Sequence, residues 1–276
     1  MLLSDRMQAV AGLVEPCDCM ADIGCDHGYV SMELIRRGVC KKVIAMDVNA
    51  GPLHQAKSNI RDYEMEEYIE TRLSDGADAL QPGEADGIIC AGMGGRLTIA
   101  ILMKGMALIQ DMKQLILQPQ SEIDEVRSFL REAGFIIDKE DMVCEDGKYY
   151  PMMHVIPGAF GKQEKYIADN LSEKRKTSAG PVPEAGDDKE PPVISDVSKE
   201  EAQKLKRVQD TYGPYLLETA HPILKQYLLW QKENLENIRG NLMNQPKPNA
   251  RQQYRILELE TALSDIVFCL YKYWRI

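Results

Sequence analysis

The chain has 276 residues, of which 44% are hydrophobic, and it carries a formal net charge of -10. This length and hydrophobic fraction are enough for a packed hydrophobic core in one large domain or two smaller ones. The negative net charge argues against a protein surface that binds nucleic acid everywhere. Because there is no apolar run of membrane-spanning length and residues 1–10 do not resemble a signal peptide, we expect a cytoplasmic protein that does not associate with membranes.

Seven cysteines are scattered along the chain between Cys17 and Cys269. An odd, scattered set fits reduced thiols in a cytosolic protein better than a disulfide framework. The cluster of Cys17, Cys19 and Cys25 has no second pair at zinc-ligand spacing. We therefore predict buried thiols and no metal site.

From residue 9 to about 157, short apolar runs alternate with amphipathic segments. The predicted strands are CMADIG, KKVIAMDV, YIETRLSD, ADGIICAG and QLILQP. This alternation is typical of a parallel α/β sheet with crossover helices. Two β-rich runs then flank Asp146 and Gly147, a pair that predicts a closing antiparallel hairpin.

The stretch CMADIGCDHGYVSMELI, at residues 19–35, leads from the first predicted strand into a helix. A glycine-rich turn at this point brings bare backbone and free N–H groups close to a ligand. The dinucleotide fingerprint requires glycine at its first, third and sixth positions, but counting from Gly24 the chain has Asp26 and Tyr29 at the last two. The motif therefore argues against NAD.

Acidic residues stand at or just after the ends of the first three predicted strands: Asp22, Asp47 and Asp75. Asp47 follows Gly24 by 23 residues, where an acidic side chain typically accepts hydrogen bonds from ribose hydroxyls. Asp75 and Gly76 lie where an adenine ring is expected. A single strand-end aspartate is often only a cap, but three on one edge of a sheet predict a nucleoside-bearing cofactor.

The fourth predicted strand ends in ICAGMGGRLT, which places Gly92, Gly94 and Gly95 around Met93. Glycine is costly unless the backbone needs a positive φ or something must approach it closely. A tight turn explains one or two glycines, whereas three predict a loop that admits a ligand.

Residues 173–200 contain four prolines and many charges, which predicts a flexible linker or insertion. Two helical patterns follow, with apolar seams at alternating intervals of three and four residues. The seam positions are Leu224, Leu228, Gln231, Leu235, Ile238 and Leu242, then Ile256, Leu259, Leu263, Ile266, Leu270 and Tyr273. Because the break NQPKPNA carries two prolines, we predict an antiparallel helical hairpin.

The predicted tip of this hairpin is basic. It carries Arg239, Lys247, Arg251 and Arg255 with no acidic residue between the first and the last. Residues 197–276 hold twelve Lys and Arg against nine Asp and Glu. The pattern predicts RNA contact, although a solvated helix face would look similar.

These motifs resemble the bacterial tRNA (adenine-22, N1) methyltransferases, a class I S-adenosylmethionine family with a helical C-terminal extension. The resemblance rests on LSDRM, ADIGCDHGY, MDVNAGPL, LSDG, AGMGG, LQP and YGPYLL, which cover the chain apart from the linker. Asp26 stands where the first motif of class I methyltransferases usually has glycine, and the proline-rich segment does not match the family.

The resemblance implies a Rossmann-like α/β sheet, mostly parallel with an antiparallel hairpin at its end, and a C-terminal antiparallel coiled-coil hairpin. The expected domains are a catalytic domain at 1–158, a linker or insertion at 159–200 and the helical hairpin at 201–276. We expect a monomer, with a dimer through the coiled coil as the alternative.

The resemblance also implies transfer of a methyl group from S-adenosyl-L-methionine to adenine N1 in tRNA. The expected cofactor contacts are Asp22, Gly24, Cys25, His27, Gly28, Asp47, Val48, Asp75, Gly76, Gly92 and Met93. The residues expected around the reacting groups are Asp26, His27, Tyr29 and Met93. The expected tRNA contacts are Arg6, Gly94, Gly95, Arg96, Arg239, Lys247, Arg251 and Arg255.

Several roles stay open at this point. For His27, hydrogen-bond donation and proton transfer are equal alternatives; for Tyr29, stacking on the base competes with packing under the helix. A methyltransferase of small molecules or proteins would share the cofactor site without needing the basic hairpin. A non-enzymatic interaction protein would use the coiled coil and merely retain the fold.

Overall fold

The computed structural model describes residues 3–158, 199–244 and 249–276. Its strands are β1 (Cys17–Ile23), β2 (Cys40–Asp47), β3 (Ile69–Leu73), β4 (Gly87–Met93), β5 (Gln114–Pro119), β6 (Ile136–Glu145) and β7 (Lys148–Ile156). They form one sheet in the order β3-β2-β1-β4-β5-β7-β6. The first five strands pair in parallel and β7 is antiparallel to both β5 and β6, which confirms the predicted fold class.

Helices cover both faces of this sheet. The helices that alternate with these strands, between residues 5 and 132, are α1 (Asp5–Gly12), α2 (Tyr29–Arg36), α3 (Ala50–Asp62), α4 (Gly95–Lys104), α5 (Met106–Ile109) and α6 (Ile123–Glu132). One core cluster lies under α4 to α6 and the other under α1 to α3. Because both faces are covered, β5 is buried along its whole length, as expected for an inner parallel strand.

The closing hairpin brings a further strand end to the carboxyl edge of the sheet. Asp146 and Gly147 both have positive φ, 50° and 72°, as a two-residue type I′ turn requires. Leu117 of β5 pairs with Met153 of β7. Because β7 runs antiparallel, its first residues, including Tyr150, therefore lie beside the end of β5.

The C-terminal helices are α7 (Lys199–Tyr212), α8 (Pro214–Glu218), α9 (Pro222–Met243) and α10 (Ala250–Cys269). The sequence patterns predicted the last two, which pack against each other, but did not predict α7 and α8. Leu216, Leu224 and Ile266 form a third core cluster together with Met142 of β6. The helical part is thus packed onto the sheet rather than only attached through a linker.

The apolar seam of α9 and α10 is buried unevenly. Leu224, Leu228 and Leu259 are buried, whereas Ile238 is 43% exposed. Most of the predicted linker, with its prolines, and Lys247 of the predicted basic tip lie outside the described residues. The domain boundaries therefore stay a prediction.

None of the helices in the described ranges is both long and apolar enough to cross a membrane.

Candidate active site at the carboxyl edge of the sheet

A cavity of about 380 Å³ opens where the parallel strands end. Crevices outside the carboxyl ends of strands are the usual ligand sites of open α/β sheets. Predicted residues that line it are Arg6, Asp22, Gly24, Cys25, Asp26, Asp47, Val48, Asp75, Gly76, Gly92 and Met93. Other lining residues, not singled out from the sequence, include Met7, Asn49, Ser74, Leu97, Ile101 and Gln120.

Asp22 is the most buried carboxyl group of this cavity, with 4% of the residue exposed. Its Oδ2 accepts a hydrogen bond of 2.6 Å from the Ser31 hydroxyl on α2. Burial raises the pKa of Asp22 to about 6, the bond from Ser31 opposes that shift, and the nearby charge of Asp47 adds to it. The carboxyl group therefore changes charge in a range that binding experiments can reach.

We expect the affinity for a cationic ligand in this cavity to rise with pH through about 6, because ionised Asp22 attracts the cation and protonated Asp22 does not. With a pKa near 6, binding at pH 5 should be about tenfold weaker than at pH 7. Calorimetric titration with S-adenosyl-L-methionine measures this, with Asp22→Asn as the matched control that should lose the dependence. A flat profile, or an equal slope in both proteins, would contradict the expectation.

The other two acidic strand ends differ sharply from each other. Asp47 is buried, and its Oδ1 accepts the Asn49 backbone N–H at 2.8 Å. The side chain of Asp75 is 68% exposed and pairs with Lys104 at 2.8 Å. Lys104 offsets the charge of Asp75, so Asp47 is the better placed acceptor for a buried ligand hydroxyl.

Gly24 and Met93 meet across the cavity wall. Gly24 has φ of 73°, and a Cβ built on it would lie 2.3 Å from the Met93 Cε. A side chain at residue 24 would therefore be strained in its backbone and would have to displace Met93. The glycine keeps the end of β1 open and lets Met93 reach it from β4.

The three glycines around Met93 have different surroundings. Gly92 has φ of 81° and faces the cavity, where a Cβ would lie 3.6 Å from the Arg6 Nη1. A Cβ on Gly95 would lie 2.4 Å from the Ser121 carbonyl oxygen, so glycine is needed there for packing. Gly94, beside the Ser121 hydroxyl, is the N-cap of α4 and like Gly95 is not part of the cavity wall. Glycine is thus needed at residue 95 for packing, whereas Gly92 lines the cavity.

His27, Gly28 and Tyr29 do not line the cavity. The His27 and Tyr29 rings stack on each other at 5.8 Å, and Tyr29 is 42% exposed. Gly28 has φ of 74° and lies close to Ala56 of α3. These three residues lie between Asp26 and Val30, which do line the cavity, and their proposed contacts stay predictions.

Arg6 is the one basic residue in the cavity lining among the residues that the structure describes. Its Nη1 donates to the Gln118 Oε1 at 3.0 Å, and its guanidinium lies 5.1 Å from the centre of the Tyr150 ring. Its backbone N–H donates to Glu145 at 3.2 Å. Gln118 and Glu145 thus orient Arg6, although they stand 112 and 139 positions after it in the chain. No local sequence pattern could reveal this.

Among the described residues, the other predicted cations do not line the cavity. The side chain of Arg96 is 76% exposed and lies 3.6 Å from Glu125. On the helical hairpin, Arg255 pairs with Glu258 at 2.9 Å. Arg239 and Arg251 belong to the same hairpin, on α9 and α10, and none of these three hairpin arginines is part of the cavity lining.

Comparisons with known proteins agree with this geometry. A family model described as a methyltransferase domain matches residues 3–153. A Bacillus subtilis protein named tRNA (adenine(22)-N(1))-methyltransferase is 34% identical over 151 residues, covering 55% of this chain and 63% of that protein. A Mycoplasma pneumoniae protein, provisionally named a tRNA methyltransferase, is 34% identical over 155 residues, covering 54% of this chain and 70% of that protein.

Solved structures resemble nearly the whole chain. A Streptococcus pneumoniae protein, described provisionally as a tRNA (m1A22) methyltransferase and solved with S-adenosyl-L-methionine, has a TM-score of 0.71 at 25% identity. The match covers 98% of this chain and all of that one. The Bacillus subtilis m1A22 tRNA methyltransferase structure, at 23% identity and a TM-score of 0.71, covers 98% of this chain and 99% of its own and supports the fold alone. The chain belongs to the methyltransferase domain family, and the proteins that it resembles include tRNA (m1A22) methyltransferases.

Proposed function

We propose that the protein transfers a methyl group from S-adenosyl-L-methionine to N1 of adenine 22 in tRNA. The observation that carries the proposal is the cavity at the strand ends, with buried Asp22 and Asp47 on one side and the open Gly92 backbone on the other. The proposed substrate is taken from the names of the related proteins. We assign catalysis to residues 1–158 and an RNA-binding role to residues 201–276.

The cavity fits the proposed cofactor in size and charge. About 380 Å³ lies within the usual range for small-molecule sites. In the described part of the chain, the lining contains the carboxyl groups of Asp22, Asp26, Asp47 and Asp75 and one cation, Arg6. An acidic lining favours a cofactor whose sulfonium is positively charged, and the bare backbone at Gly24 leaves it space.

When bound, the cofactor supplies an activated methyl group. Asp47 would accept hydrogen bonds from its ribose hydroxyls, and Asp22 would hold its positively charged side. Adenine N1 already has an in-plane lone pair, so no residue needs to remove a proton before the displacement. Positioning of the two reactants then supplies most of the rate, which is a suitable task for a rigid strand edge.

The target adenine must leave the RNA stack, because N1 lies on its Watson–Crick edge. The backbone around Gly92 offers an opening without side-chain bulk. The names of the relatives indicate tRNA as the partner, and we expect the enzyme to act in the cytoplasm as a monomer. A dimer through the α9 and α10 hairpin is the alternative.

Methylation of an unmodified tRNA transcript with labelled cofactor tests the proposal. We expect one methyl group per tRNA, located at position 22 by a reverse-transcription stop, and none when that adenine is replaced by guanine. Transfer only to a small molecule or protein would support the alternative that this is a methyltransferase of small molecules or proteins. Absence of cofactor binding would support a non-enzymatic interaction protein.

The basic tip of the hairpin gives a separate prediction. Changing Arg239, Lys247, Arg251 and Arg255 together to alanine should weaken tRNA binding and flatten its salt dependence by about one unit of slope per lost phosphate contact. The effect should be small for Arg255, because Glu258 already pairs with it. Filter binding at several salt concentrations measures the slope.

The matched control removes cations from the opposite edge of the sheet. Lys41 and Lys113 lie near the starts of β2 and β5, where they pair with Asp18 and Asp86. Changing both to alanine should leave the slope as it is. An unchanged slope in the quadruple variant would move the phosphate contacts to Arg6 and Arg96.

A further inference from the structure

Gln120 stands out because it lines the cavity, was not predicted from the sequence, and is not among the expected cofactor contacts. It directly follows β5, and its backbone N–H donates to the Met93 carbonyl at 2.7 Å. Its backbone is therefore tied to the end of β4. Within the described residues its side-chain amide has no hydrogen-bond partner.

The strand order divides the cavity into two halves. Asp75, Asp47 and Asp22 follow or end β3, β2 and β1, whereas Gly92 and Gln120 belong to the ends of β4 and β5. Neighbouring strands are about 4.8 Å apart, so Gln120 lies roughly 10 Å along the edge from the end of β1. The half that contains the aspartates suits the positively charged cofactor. The half that contains Gln120 is therefore left for the adenine that accepts the methyl group.

The Gly92 backbone forms the floor of that second half. A Cβ on Gly92 would lie 3.6 Å from the Arg6 Nη1 and 3.8 Å from the Gln120 Nε2. The space left by the missing side chain is therefore bordered by a guanidinium and an amide. Arg6 is already oriented by Gln118 and Tyr150, and its Nε is buried without a partner. The Gln120 side chain is exposed, so it is the polar group that is free to meet a ligand.

A neutral amide has the chemistry that the reaction demands at this point. The Watson–Crick edge of adenine must face the methyl group, which leaves N7 and the second N6 hydrogen on the Hoogsteen edge for recognition. Glutamine can accept from N6 and donate to N7, a pattern that distinguishes adenine from guanine, whose O6 and N7 are both acceptors. An amide also adds no positive charge beside a ring that becomes cationic.

We propose that the side-chain amide of Gln120 binds the Hoogsteen edge of the target adenine and so selects adenine while leaving N1 free. The inference rests on the proposed tRNA methylation and names the group that reads its substrate. Gln120 contacts the base, whereas Gln118 acts as a positioning residue for Arg6.

A double-mutant cycle, which combines one protein substitution with one RNA modification, tests this contact. The protein variant is Gln120→Ala, and the tRNA transcript carries 7-deazaadenosine at position 22, which removes the N7 acceptor. With the unmodified protein we expect kcat/KM to fall about tenfold on the altered RNA, the loss of one good hydrogen bond. Gln120→Ala should lose at least as much on normal tRNA and show little further loss on the altered RNA.

Two controls separate the possible failures. Cofactor affinity by calorimetry should be unchanged in Gln120→Ala, and Gln81→Ala, at an exposed glutamine between β3 and β4, should keep normal activity. Equal penalties from the altered RNA in both proteins would overturn the role of Gln120 while leaving tRNA methylation in place. No methylation of normal tRNA by the unmodified protein would overturn the proposed function and this inference together.

Discussion

Replacing Asp47 with alanine is expected to weaken S-adenosyl-L-methionine binding by about 10- to 100-fold, because hydrogen bonds to a charged group contribute roughly 1.5–3 kcal/mol. Asp47 ends β2 with only 7% of its surface exposed, so water replaces the lost acceptor poorly. Affinity for tRNA should change far less, because the tRNA contacts predicted here are other residues. Isothermal titration with each ligand measures both constants.

Asp47→Asn is the matched control for this change. The asparagine oxygen can still accept the Asn49 N–H that Asp47 accepts at 2.8 Å, so the turn after β2 should persist. Only the charge and part of the acceptor capacity are lost, and we expect an intermediate affinity. Cofactor affinity that stays unchanged in Asp47→Ala, in a protein with normal thermal stability, would remove Asp47 from the cofactor site.

Replacing Glu140 with alanine is expected to lower the free energy of unfolding by about 3–5 kcal/mol, the usual cost of leaving one member of a buried ion pair alone. Glu140 on β6 accepts from the Arg127 Nε at 2.9 Å, and the two side chains are 0% and 2% exposed. Its second oxygen accepts the Tyr215 backbone N–H at 2.9 Å. The substitution therefore orphans a charge and a backbone donor together.

The same pair connects the C-terminal helices to the sheet. Arg127 Nη1 donates to the carbonyl oxygens of Asp210 and Thr211 at 2.9 and 3.0 Å. Gly213 has φ of 94°, and a Cβ there would lie 2.6 Å from a Glu140 oxygen. In Glu140→Ala we therefore expect α7 and α8 to become more accessible to proteases than the strands.

Urea unfolding measures the loss in Glu140→Ala, and two further variants calibrate it. Glu140→Gln keeps an acceptor for the Tyr215 N–H and should lose less. Glu132→Ala on α6 removes only exposed contacts, a pair with Arg131 at 3.9 Å and a hydrogen bond from the Ser128 hydroxyl at 3.2 Å, so its effect should stay below about 1 kcal/mol. A loss in Glu140→Ala no larger than that of Glu132→Ala would show that the pair does not hold the helices in place.

Several structural features follow from local sequence alone. The alternation of apolar runs and amphipathic segments predicted the parallel strands, and the Asp146 and Gly147 pair predicted the hairpin between β6 and β7. Asp22 and Asp47 were expected at one edge because parallel strands place their carboxyl ends together. These predictions succeed because side-chain periodicity and turn conformation depend on neighbouring residues.

Other features of the site depend on residues far apart in the chain. The sequence gives no sign that Arg6 is oriented by Gln118 and Glu145, or that Gly95 must avoid Ser121. The four basic residues of the hairpin looked unopposed by intervening acids, yet the helix brings Glu258 to Arg255.

The sequence by itself thus determined the alternation of parallel strands and helices up to about residue 157, the closing turn and the acidic strand ends, because each depends on residues close together in the chain. Tertiary structure alone decided that His27 and Tyr29 lie outside the cavity lining and that Gln120 lies within it. It also decided that the helical part is held by Arg127 and Glu140. The physical reason is that a side chain's surroundings are set by packing between distant segments, which no local pattern records.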